Sequence, residues 1–272
     1  MKFVKMQGIG NDYVYVDCFL YEVKNPPAVA RIVSDRHYGI GSDGLILICP
    51  SERADVKMEM YNADGSKGKM CGNGARCVAK YAYEQGYVKK TKFLIETAAG
   101  NREAQLELRD QKIRAVRIDM GIPILESNLP EKILIKDAEE EFVGISMGNP
   151  HAVYYVKSAE ELHALDLEKW GRYYEEHPRF PDKVNSEFVF IESPKRIHMR
   201  VWERGSGETL ACGTGAAASA YASMLLGKCE DEVEVCLRGG NLKIRLDRES
   251  EHIHMSGEAV EVFRGEIRIE EA

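Results

Sequence analysis

Two cysteines stand at equivalent places in two similar stretches of the sequence. Cys71 lies in Met70-Cys71-Gly72-Asn73-Gly74, and Cys212 lies in Ala211-Cys212-Gly213-Thr214-Gly215. Each motif runs into an Ala-rich, glycine-free segment that predicts a helix, and each segment stops at a glycine, Gly86 or Gly227, suited to a left-handed cap. The same offset separates the cysteines and the terminal glycines (212 − 71 = 227 − 86 = 141). The sequence therefore predicts a cysteine at the start of two equivalent helices.

A cysteine in this position has a physical reason to be reactive. The first turn of a helix offers backbone N–H groups without an intrahelical partner, together with the positive end of the helix dipole. Both favour a thiolate, so we expect the pKa of each thiol to fall. The same N–H groups could hold a carboxylate or an oxyanion beside the sulfur. Taken alone, either cysteine is equally well explained as a packing residue.

Two matched cysteines in two matched halves indicate a specific reaction. If the halves face one another, both helix starts converge on one cleft, with a thiol on each side of a bound carbon atom. One thiolate could then remove an α-proton while the other thiol delivers one to the opposite face, which inverts a stereocentre. Helix starts and exclusion of water would stabilise the carbanion, so no cofactor is expected. No metal site is expected either, because neither cysteine has His or Cys three or four residues further on.

Polar residues near these motifs are candidates for substrate recognition. Glu203 and Arg204 are adjacent and precede Cys212, so they could bind the ammonium and carboxylate groups of an amino-acid head group. A pair of solvated charges is the alternative. His151 could tune the pKa of a nearby thiol, although a lone histidine is more often structural. Four asparagines at predicted strand ends or turns could line a site for a zwitterion, and each alone is equally a turn residue: Asn11, Asn62, Asn149 and Asn185.

The elements that must position these residues repeat along the chain with offsets of 136 to 141 residues. We predict an α/β fold of the α+β type: two pseudo-symmetric domains from an internal duplication, each a mixed, mostly antiparallel sheet wrapped around a central helix, with the active site in the cleft between them. The predicted halves are residues 1–118 and 119–257, and residues 258–272 form strands that return to the first half. Asn25 before two prolines predicts a capped helix start. Ser158 with Glu161 predicts a capping box for a helix over residues 159–177.

Composition narrows the class of protein. The net charge is −7, from 37 basic and 44 acidic residues, which disfavours nucleic acid or an anionic membrane as the main partner. We find no run of about 18 apolar residues and no export signal, so a soluble protein is expected. Seven cysteines without disulfide-framework spacing indicate free thiols in a reducing compartment, and we expect a cytoplasmic protein.

The chain resembles the diaminopimelate epimerase family along its whole length. The resemblance lies in Gly10-Asn11-Asp12, in the two cysteine motifs, in Met147-Gly148-Asn149-Pro150-His151 and in Glu203-Arg204-Gly205. It implies a cofactor-independent homodimeric isomerase that interconverts LL- and meso-diaminopimelate in lysine and cell-wall precursor synthesis.

The resemblance also implies roles for individual residues. Cys71 and Cys212 match the acid/base thiols, and Gly72-Asn73 and Gly213-Thr214 match the positions that hold the reacting carboxylate. Other matched positions bind substrate, mostly its distal head group, namely Asn11, Asn62, Asn149, Asn185, Glu203 and Arg204. His151 and Glu203 match positions proposed to modulate the pKa of the thiols.

One position departs from the pattern, and three other functions stay open. Many relatives carry a glutamine that contacts substrate where this chain has Gly44, which weakens the case for tight binding of the distal end. A racemase of the proline or hydroxyproline type would use the same two thiols, although a proline ring needs an apolar pocket in place of Glu203-Arg204. A thiol redox or metal-binding protein and a non-catalytic amino-acid-binding module are the further alternatives.

Overall fold

The computed structural model describes residues 1–136 and 138–269. The chain divides into two compact units, the first formed by residues 1–119 and 256–272 and the second by residues 120–255. The extent of the two halves in the duplication, with borders at 118/119 and 257/258, stays a prediction. No helix in the described part of the chain is long and apolar enough to cross a membrane.

The first half of the sequence forms eight strands and two helices. The strands are β1 (Lys2–Gly8), β2 (Asn11–Asp17), β3 (Gly44–Cys49), β4 (Val56–Asn62), β5 (Lys67–Gly68), β6 (Lys92–Thr97), β7 (Gly100–Arg109) and β8 (Lys112–Gly121). The helices are α1 (Pro26–Ser34) and α2 (Gly72–Glu84).

The second half repeats this order with two additional strands at its start. Its strands are β9 (Ile124–Leu125), β10 (Glu131–Ile135), β11 (Ala138–Ser146), β12 (Pro150–Tyr155), β13 (Asn185–Ser193), β14 (Arg196–Glu203), β15 (Gly207–Glu208), β16 (Glu232–Leu237), β17 (Gly240–Leu246) and β18 (Ile253–Gly257). Its helices are α3 (Ala159–Ala164), α4 (Leu167–Glu175) and α5 (Gly213–Leu225). A last strand, β19 (Val260–Glu266), pairs antiparallel with β1.

The strand pairing confirms the predicted mixed, mostly antiparallel architecture. In the first unit β2 pairs parallel with β3 and β3 antiparallel with β4, and in the second unit β12–β13 and β13–β14 pair in the same senses. The register also repeats. Leu45 lies opposite Tyr61, and the residues 141 positions further on, Ser186 and Trp202, also lie opposite one another. The hairpins β6–β7 and β16–β17 close at the equivalent residues Gly100 and Gly240.

One buried helix lies at the centre of each sheet. Helix α2 packs against β1, β2, β3, β4 and β7, and α5 packs against β11, β12, β13, β14, β16 and β17. Both helices end in the same way. Gly86 and Gly227 have positive φ, and the next residue donates its N–H to the carbonyl five residues back (Tyr87 to Ala82, Lys228 to Ser223). In each helix this hydrogen bond provides a partner for a carbonyl group near the C-terminal end, where carbonyl groups have no partner within the helix.

One local prediction was confirmed in position and another was wrong. Asn25 is the N-cap residue of α1 and the two prolines begin the helix, as predicted, although Asn25 lies in the left-handed region, with φ 48°, and its side chain makes no capping hydrogen bond. The segment 159–177 is not one helix, because α3 ends at Ala164 and Asp166 caps the separate helix α4 by accepting from the N–H of Lys169 at 3.1 Å. The predicted cap Ser158 does accept from the N–H of Glu161, at 3.1 Å.

Candidate active site

Cys71 is the N-cap residue of α2. Its φ and ψ are −133° and 117°, and its Sγ accepts a hydrogen bond from the N–H of Gly74 at 3.4 Å. The thiol donates to Asn11 Oδ1 at 3.3 Å, and it also contacts the hydroxyl group of Tyr13. The Asn11 side chain is held in turn, because its Nδ2 donates to Asp43 Oδ2 at 2.7 Å. The groups that hydrogen-bond to this sulfur are therefore neutral.

A charged cluster fixes the strand that carries Asn11. Asp12 pairs with Lys5 and with Arg36, whose Nη2 lies 2.9 Å from the carboxylate, and Arg36 also reaches Asp43 at 3.0 Å. Burial raises the pKa of Asp12, but the hydrogen bonds and charges of Lys5 and Arg36 outweigh it and lower the pKa below its ordinary value. The start of β2 is thus held by ion pairs.

Cys212 is the N-cap residue of α5 and has almost the same geometry. Its φ and ψ are −122° and 109°, and its Sγ accepts from the N–H of Gly215 at 3.4 Å. The hydroxyl of Thr214 lies 3.5 Å from the sulfur, and the carboxyl group of Glu203 also contacts it. Glu203 is held from its other side by the hydroxyl of Thr209. The neighbours of this second thiol are therefore acidic.

The predicted fall in the pKa of the thiols was wrong. Burial is the largest influence on both, and it raises the pKa of Cys71 and raises that of Cys212 well above its ordinary value. The Gly74 N–H, the Tyr13 hydroxyl and the charge of Arg76 lower the pKa of Cys71 in part. At Cys212 the charges of Glu203 and Glu187 raise the pKa further, and only Thr214 and Gly215 oppose them. The two thiols thus have equivalent backbones and opposite electrostatic surroundings.

His151 belongs to the second half-site, and among the described residues its two ring nitrogens contact Glu187 and Asn149 and not the sulfur. Its Nδ1 is 2.7 Å from Glu187 Oε1, and its Nε2 is 3.1 Å from Asn149 Oδ1. The positive charge of His151 would lower the pKa of Glu203, which burial raises above the ordinary value. Its predicted influence on the thiol would therefore be indirect.

The structure brings some of the remaining predicted residues together and leaves Asn62 apart from them. Asn185 Oδ1 accepts from the N–H of Arg204 at 3.0 Å, so these two are neighbours, and both Asn149 and Arg204 line a cavity of about 560 Å³. The guanidinium of Arg204 donates to the carbonyl of Asp182 at 3.0 Å, so it is directed away from Glu203. The exposed Asn62 side chain donates to Ser66 Oγ at 2.9 Å.

The residues expected to hold the carboxylate form the first turns of the two helices. Gly72 and Asn73 begin α2, and Gly213 and Thr214 begin α5. Asn73 is buried, and within the described residues its Oδ1 has no hydrogen-bond partner.

Gly44 departs from the family pattern for a steric reason. A Cβ atom at this position would lie 2.2 Å from the carbonyl oxygen of Tyr61 on β4 and 3.0 Å from a ring carbon of Tyr13. No side chain fits at position 44 unless the backbone of β3 or β4 moves.

Sequence reasoning missed two residues that touch the half-sites, Tyr13 and Glu187. Each had a signal. Glu187 is a single carboxylate before the apolar run Phe188–Ile191, and its side chain is fully buried. Tyr13 corresponds to His151 by the same offset that relates Asn11 to Asn149 (138 residues). Applying the duplication offset to the polar residues of the strands would have found Tyr13, and the lone carboxylate in an apolar strand would have pointed to Glu187.

Comparison with known proteins agrees with this architecture. The family model for diaminopimelate epimerase matches residues 3–125 and 143–262. The diaminopimelate epimerase of Acetivibrio thermocellus is 49% identical, with 100% of each chain covered. That of Methanococcus maripaludis strain C6 is 46% identical, covering 99% of this chain and 100% of the relative. This chain belongs to the diaminopimelate epimerase family.

Solved structures of lower sequence identity share the fold. A phenazine biosynthesis protein of the PhzF family from Bacillus anthracis superposes with a TM-score of 0.77 at 17% identity, with 99% of each chain covered. A hydroxyproline epimerase from Agrobacterium vitis gives a TM-score of 0.70 at 17% identity, covering 98% of this chain and 90% of that one. At this identity the likeness concerns the fold alone.

Proposed function

We propose that this protein is a diaminopimelate epimerase, in which the thiols of Cys71 and Cys212 exchange the α-proton of LL- and meso-2,6-diaminopimelate. The observation that carries the proposal is the equivalence of the two cysteines. Each is the N-cap of a central buried helix, and each sulfur accepts from the N–H three residues further on at 3.4 Å. Membership of the family supplies the substrate.

The proposed reaction needs one thiol on each face of the α-carbon. One cysteine, as a thiolate, takes the α-proton, and the electron pair left on carbon is delocalised into the adjacent carboxylate. The other cysteine donates its proton to the opposite face of the same carbon and becomes the thiolate. The proton count of the enzyme is unchanged, and the next turnover can run in the reverse direction. No cofactor takes part in this scheme.

The first turns of α2 and α5 are proposed to hold the reacting carboxylate. Their N–H groups, at Gly72 and Asn73 and at Gly213 and Thr214, lie in helix starts, where an anion is favoured. Negative charge that moves from the α-carbon onto the carboxylate in the transition state would be stabilised by the same donors. The high pKa that burial gives both thiols also suits the task, because a more basic thiolate is the stronger base toward carbon.

The remaining polar residues are proposed to bind the distal head group. Arg204 and Asn149 line a cavity large enough for an amino-acid end group, and Asn185 holds the backbone of Arg204. Asn11, Asn62 and Glu203 complete the proposed set, and His151 and Glu203 are proposed to tune the thiols. We further propose a cytoplasmic homodimer that acts in lysine and cell-wall precursor synthesis.

Proton NMR of the reduced protein with LL-diaminopimelate in D₂O tests the proposal. The expected result is deuterium at one α-carbon together with meso product. The single variants Cys71→Ala and Cys212→Ala should form no meso product, because each removes one of the two proton carriers.

The same experiment with free L-proline separates the main alternative. Exchange with proline and none with diaminopimelate would replace the proposed substrate with that of a proline-type racemase. Binding of diaminopimelate without any exchange would indicate a binding module and would overturn the proposed catalysis.

A further inference from the structure

A continuous chain of hydrogen bonds connects the interior of the second unit with the Cys212 sulfur. It begins at the carboxylate of Glu187, passes through His151 (2.7 Å) and continues to Asn149 (3.1 Å). Asn149 Nδ2 donates to Thr214 Oγ1 at 3.4 Å, and Thr214 Oγ1 lies 3.5 Å from Cys212 Sγ. The side chains of Glu187 and His151 are completely buried.

We propose that Glu187 is a positioning residue for Cys212. Through His151 and Asn149 it orients the hydroxyl of Thr214 so that the hydroxyl donates its hydrogen to the Cys212 thiolate. This inference rests on the proposed function of Cys212 as an acid/base thiol.

The directions of the hydrogen bonds follow from the chemistry of each group. An ionised carboxylate only accepts, so His151 Nδ1 donates to Glu187. The Asn149 amide directs its NH₂ group to Thr214 and its oxygen to His151 Nε2, so this second ring nitrogen donates as well. The ring is then an imidazolium ion paired with Glu187. Thr214 accepts from Asn149, which leaves its single hydrogen for Cys212.

Loss of the carboxylate charge at Glu187 would reverse the directions of the hydrogen bonds between His151, Asn149 and Thr214. Without an anion at Glu187 the ring of His151 has no reason to keep two protons in a buried place. A neutral ring that donates from Nδ1 accepts at Nε2, and the Asn149 amide must turn over to donate there. The Asn149 oxygen then faces Thr214 and takes the hydroxyl hydrogen, so Cys212 loses its donor.

The start of α5 gives an independent reason for an ionised Glu187. A Cβ atom on Gly215 would lie 2.6 Å from Glu187 Oε1 and 3.2 Å from Cys212 Sγ, so the carboxylate lies directly against the first helical turn. This end of a helix stabilises negative charge. Glu187 Oε2 is buried and has no hydrogen-bond partner in the described part of the chain, so the paired oxygen, Oε1, carries the interaction with His151.

The first unit lacks this chain and so provides a control within the same molecule. Ile46 occupies the place of Glu187, since a Cβ atom on Gly74 would lie 2.5 Å from Ile46 Cδ1. Tyr13 occupies the place of His151, and the Cys71 thiol donates directly to Asn11. Any effect transmitted by Glu187 through the proposed chain should appear at Cys212 and leave Cys71 unchanged.

The test is the rate at which iodoacetamide alkylates each cysteine of the full chain, followed by peptide mass spectrometry between pH 7 and 9. The rate follows the thiolate fraction of each sulfur. Glu187→Gln removes the hydrogen bond from Thr214 to the Cys212 thiolate, worth about tenfold or more in the thiolate fraction of Cys212, and it also removes the field of the carboxylate, which acts in the opposite direction. Neither change should alter the rate at Cys71. The charges that face Cys212 are those of Glu203, Glu187 and, further away, His151.

A Thr214→Val background separates the two effects, because there is no hydroxyl to orient in it. The negative charge of Glu187 raises the pKa of Cys212, so in that background Glu187→Gln should make alkylation of Cys212 faster. In the chain that keeps Thr214, the rate change caused by Glu187→Gln should be lower by about tenfold or more, because the hydrogen-bond donor is lost as well. Equal rate changes in the two backgrounds would overturn the proposal.

A control variant separates this effect from general damage to a buried carboxylate. Asp17 in the first unit is buried and accepts hydrogen bonds from the hydroxyls of Tyr81 and Tyr87 at 3.0 and 2.6 Å. Asp17→Asn should leave the alkylation of Cys212 as it is in the wild type. An equal change of the Cys212 alkylation rate in Glu187→Gln and in Asp17→Asn would assign that change to a loosened structure and would count against the proposal for Glu187.

A second measurement needs no variant. Of the seven histidines, all within the described residues, only His151 is buried, so its ring protons should exchange slowest with solvent. In ¹⁵N-histidine-labelled protein the proposal expects both ring nitrogens of the slowly exchanging histidine to carry protons at pH 7. One unprotonated ring nitrogen would overturn it. Neither measurement depends on turnover, so failure of the diaminopimelate exchange experiment would leave this test intact.

Discussion

A matched pair of glycine substitutions tests how differently the two half-sites are built. Gly74 and Gly215 are the third residues of α2 and α5, and neither has a positive φ, so alanine is compatible with both backbones. In Gly74→Ala the new methyl group meets the end of the Ile46 side chain at 2.5 Å, and in Gly215→Ala it meets Glu187 Oε1 at 2.6 Å. The crowding is equal, but one neighbour is apolar and the other is a carboxylate.

The expected losses of stability follow from how far each neighbouring atom must move and from the interaction that this movement weakens. Ordinary contact begins at 3.4 Å, so Ile46 Cδ1 must move by about 0.9 Å and Glu187 Oε1 by about 0.8 Å. A terminal methyl can move by a side-chain rotation that costs about 0.5–1.5 kcal/mol. The carboxylate can move only by lengthening its 2.7 Å hydrogen bond to His151 toward about 3.5 Å, which costs about 1.5–3 kcal/mol. The gain in helix propensity is the same for both variants and cancels in the comparison.

We therefore expect Gly215→Ala to lower the free energy of unfolding by about 1–2 kcal/mol more than Gly74→Ala. The difference corresponds to a Tm about 2–8 °C lower for a domain of this size. Urea unfolding followed by circular dichroism measures this difference in stability. Both tryptophans, Trp170 and Trp202, lie in the second unit, so their fluorescence reports the unfolding of that unit. Equal stability of the two variants, or a more stable Gly215→Ala, would refute the idea that the Glu187–His151 contact is held rigidly beneath the helix start.

Three further predictions follow from the contacts of the thiols and of β2. Cys71→Ser and Cys212→Ser should each keep only a trace of the epimerisation rate, because a hydroxyl is a much weaker acid than a thiol and is almost never ionised. Circular dichroism should show unchanged folding, and near-normal turnover in either variant would contradict the two-thiol mechanism. Glu203→Gln removes a negative charge that raises the pKa of Cys212, so iodoacetamide should alkylate Cys212 faster between pH 7 and 8 while Cys71 serves as the unchanged reference. Asp12→Asn removes a carboxylate whose pKa is lowered by Lys5 and Arg36, so this variant should be less stable than the wild type at pH 7. The difference in stability should shrink as pH falls below about 4, because the wild type loses this contribution as Asp12 becomes protonated. Urea unfolding at pH 7 and pH 3.5 measures this difference, and an equal difference at both pH values would contradict it.

The helical parts of the site were predictable because their signals are local. A Cys-Gly-x-Gly motif before an Ala-rich segment gave the starts of α2 and α5, and Gly86 and Gly227 gave their ends. The single long helix expected over 159–177 failed for a local reason too, because Asp166 is a capping residue inside an apolar pattern and was not recognised as one. Such signals depend only on neighbouring residues.

The ionisation of the thiols could not be predicted in this way. The sequence shows a helix start, which favours a thiolate, but it does not show how far the folded chain buries each sulfur. Burial then outweighs the N–H groups of Gly74 and Gly215. The direction of a side chain is equally hidden. Glu203 is the last residue of β14 and Arg204 follows it, yet the side chain of Glu203 contacts Cys212 and that of Arg204 donates to the carbonyl of Asp182.

The duplicated backbone makes the two helix starts equivalent, and three pairs of aligned residues then make them electrically different. Arg76 on α2, whose charge lowers the pKa of Cys71, is aligned with the neutral Ala217 on α5. In the opposite sense, Ile46 is aligned with Glu187, and Asn62 with Glu203, so the acidic neighbours occur only beside Cys212.

Charges of opposite sign beside equivalent sulfurs separate their ionisation more than either burial or the helix start does, because those two influences are common to both. When one of the two thiols ionises, Cys71 should therefore do so before Cys212. An enzyme that removes a proton from one face and supplies one to the other needs one thiolate and one thiol in the same turnover. The charge asymmetry between the two half-sites would set which cysteine ionises first, and the equivalent backbones alone would not.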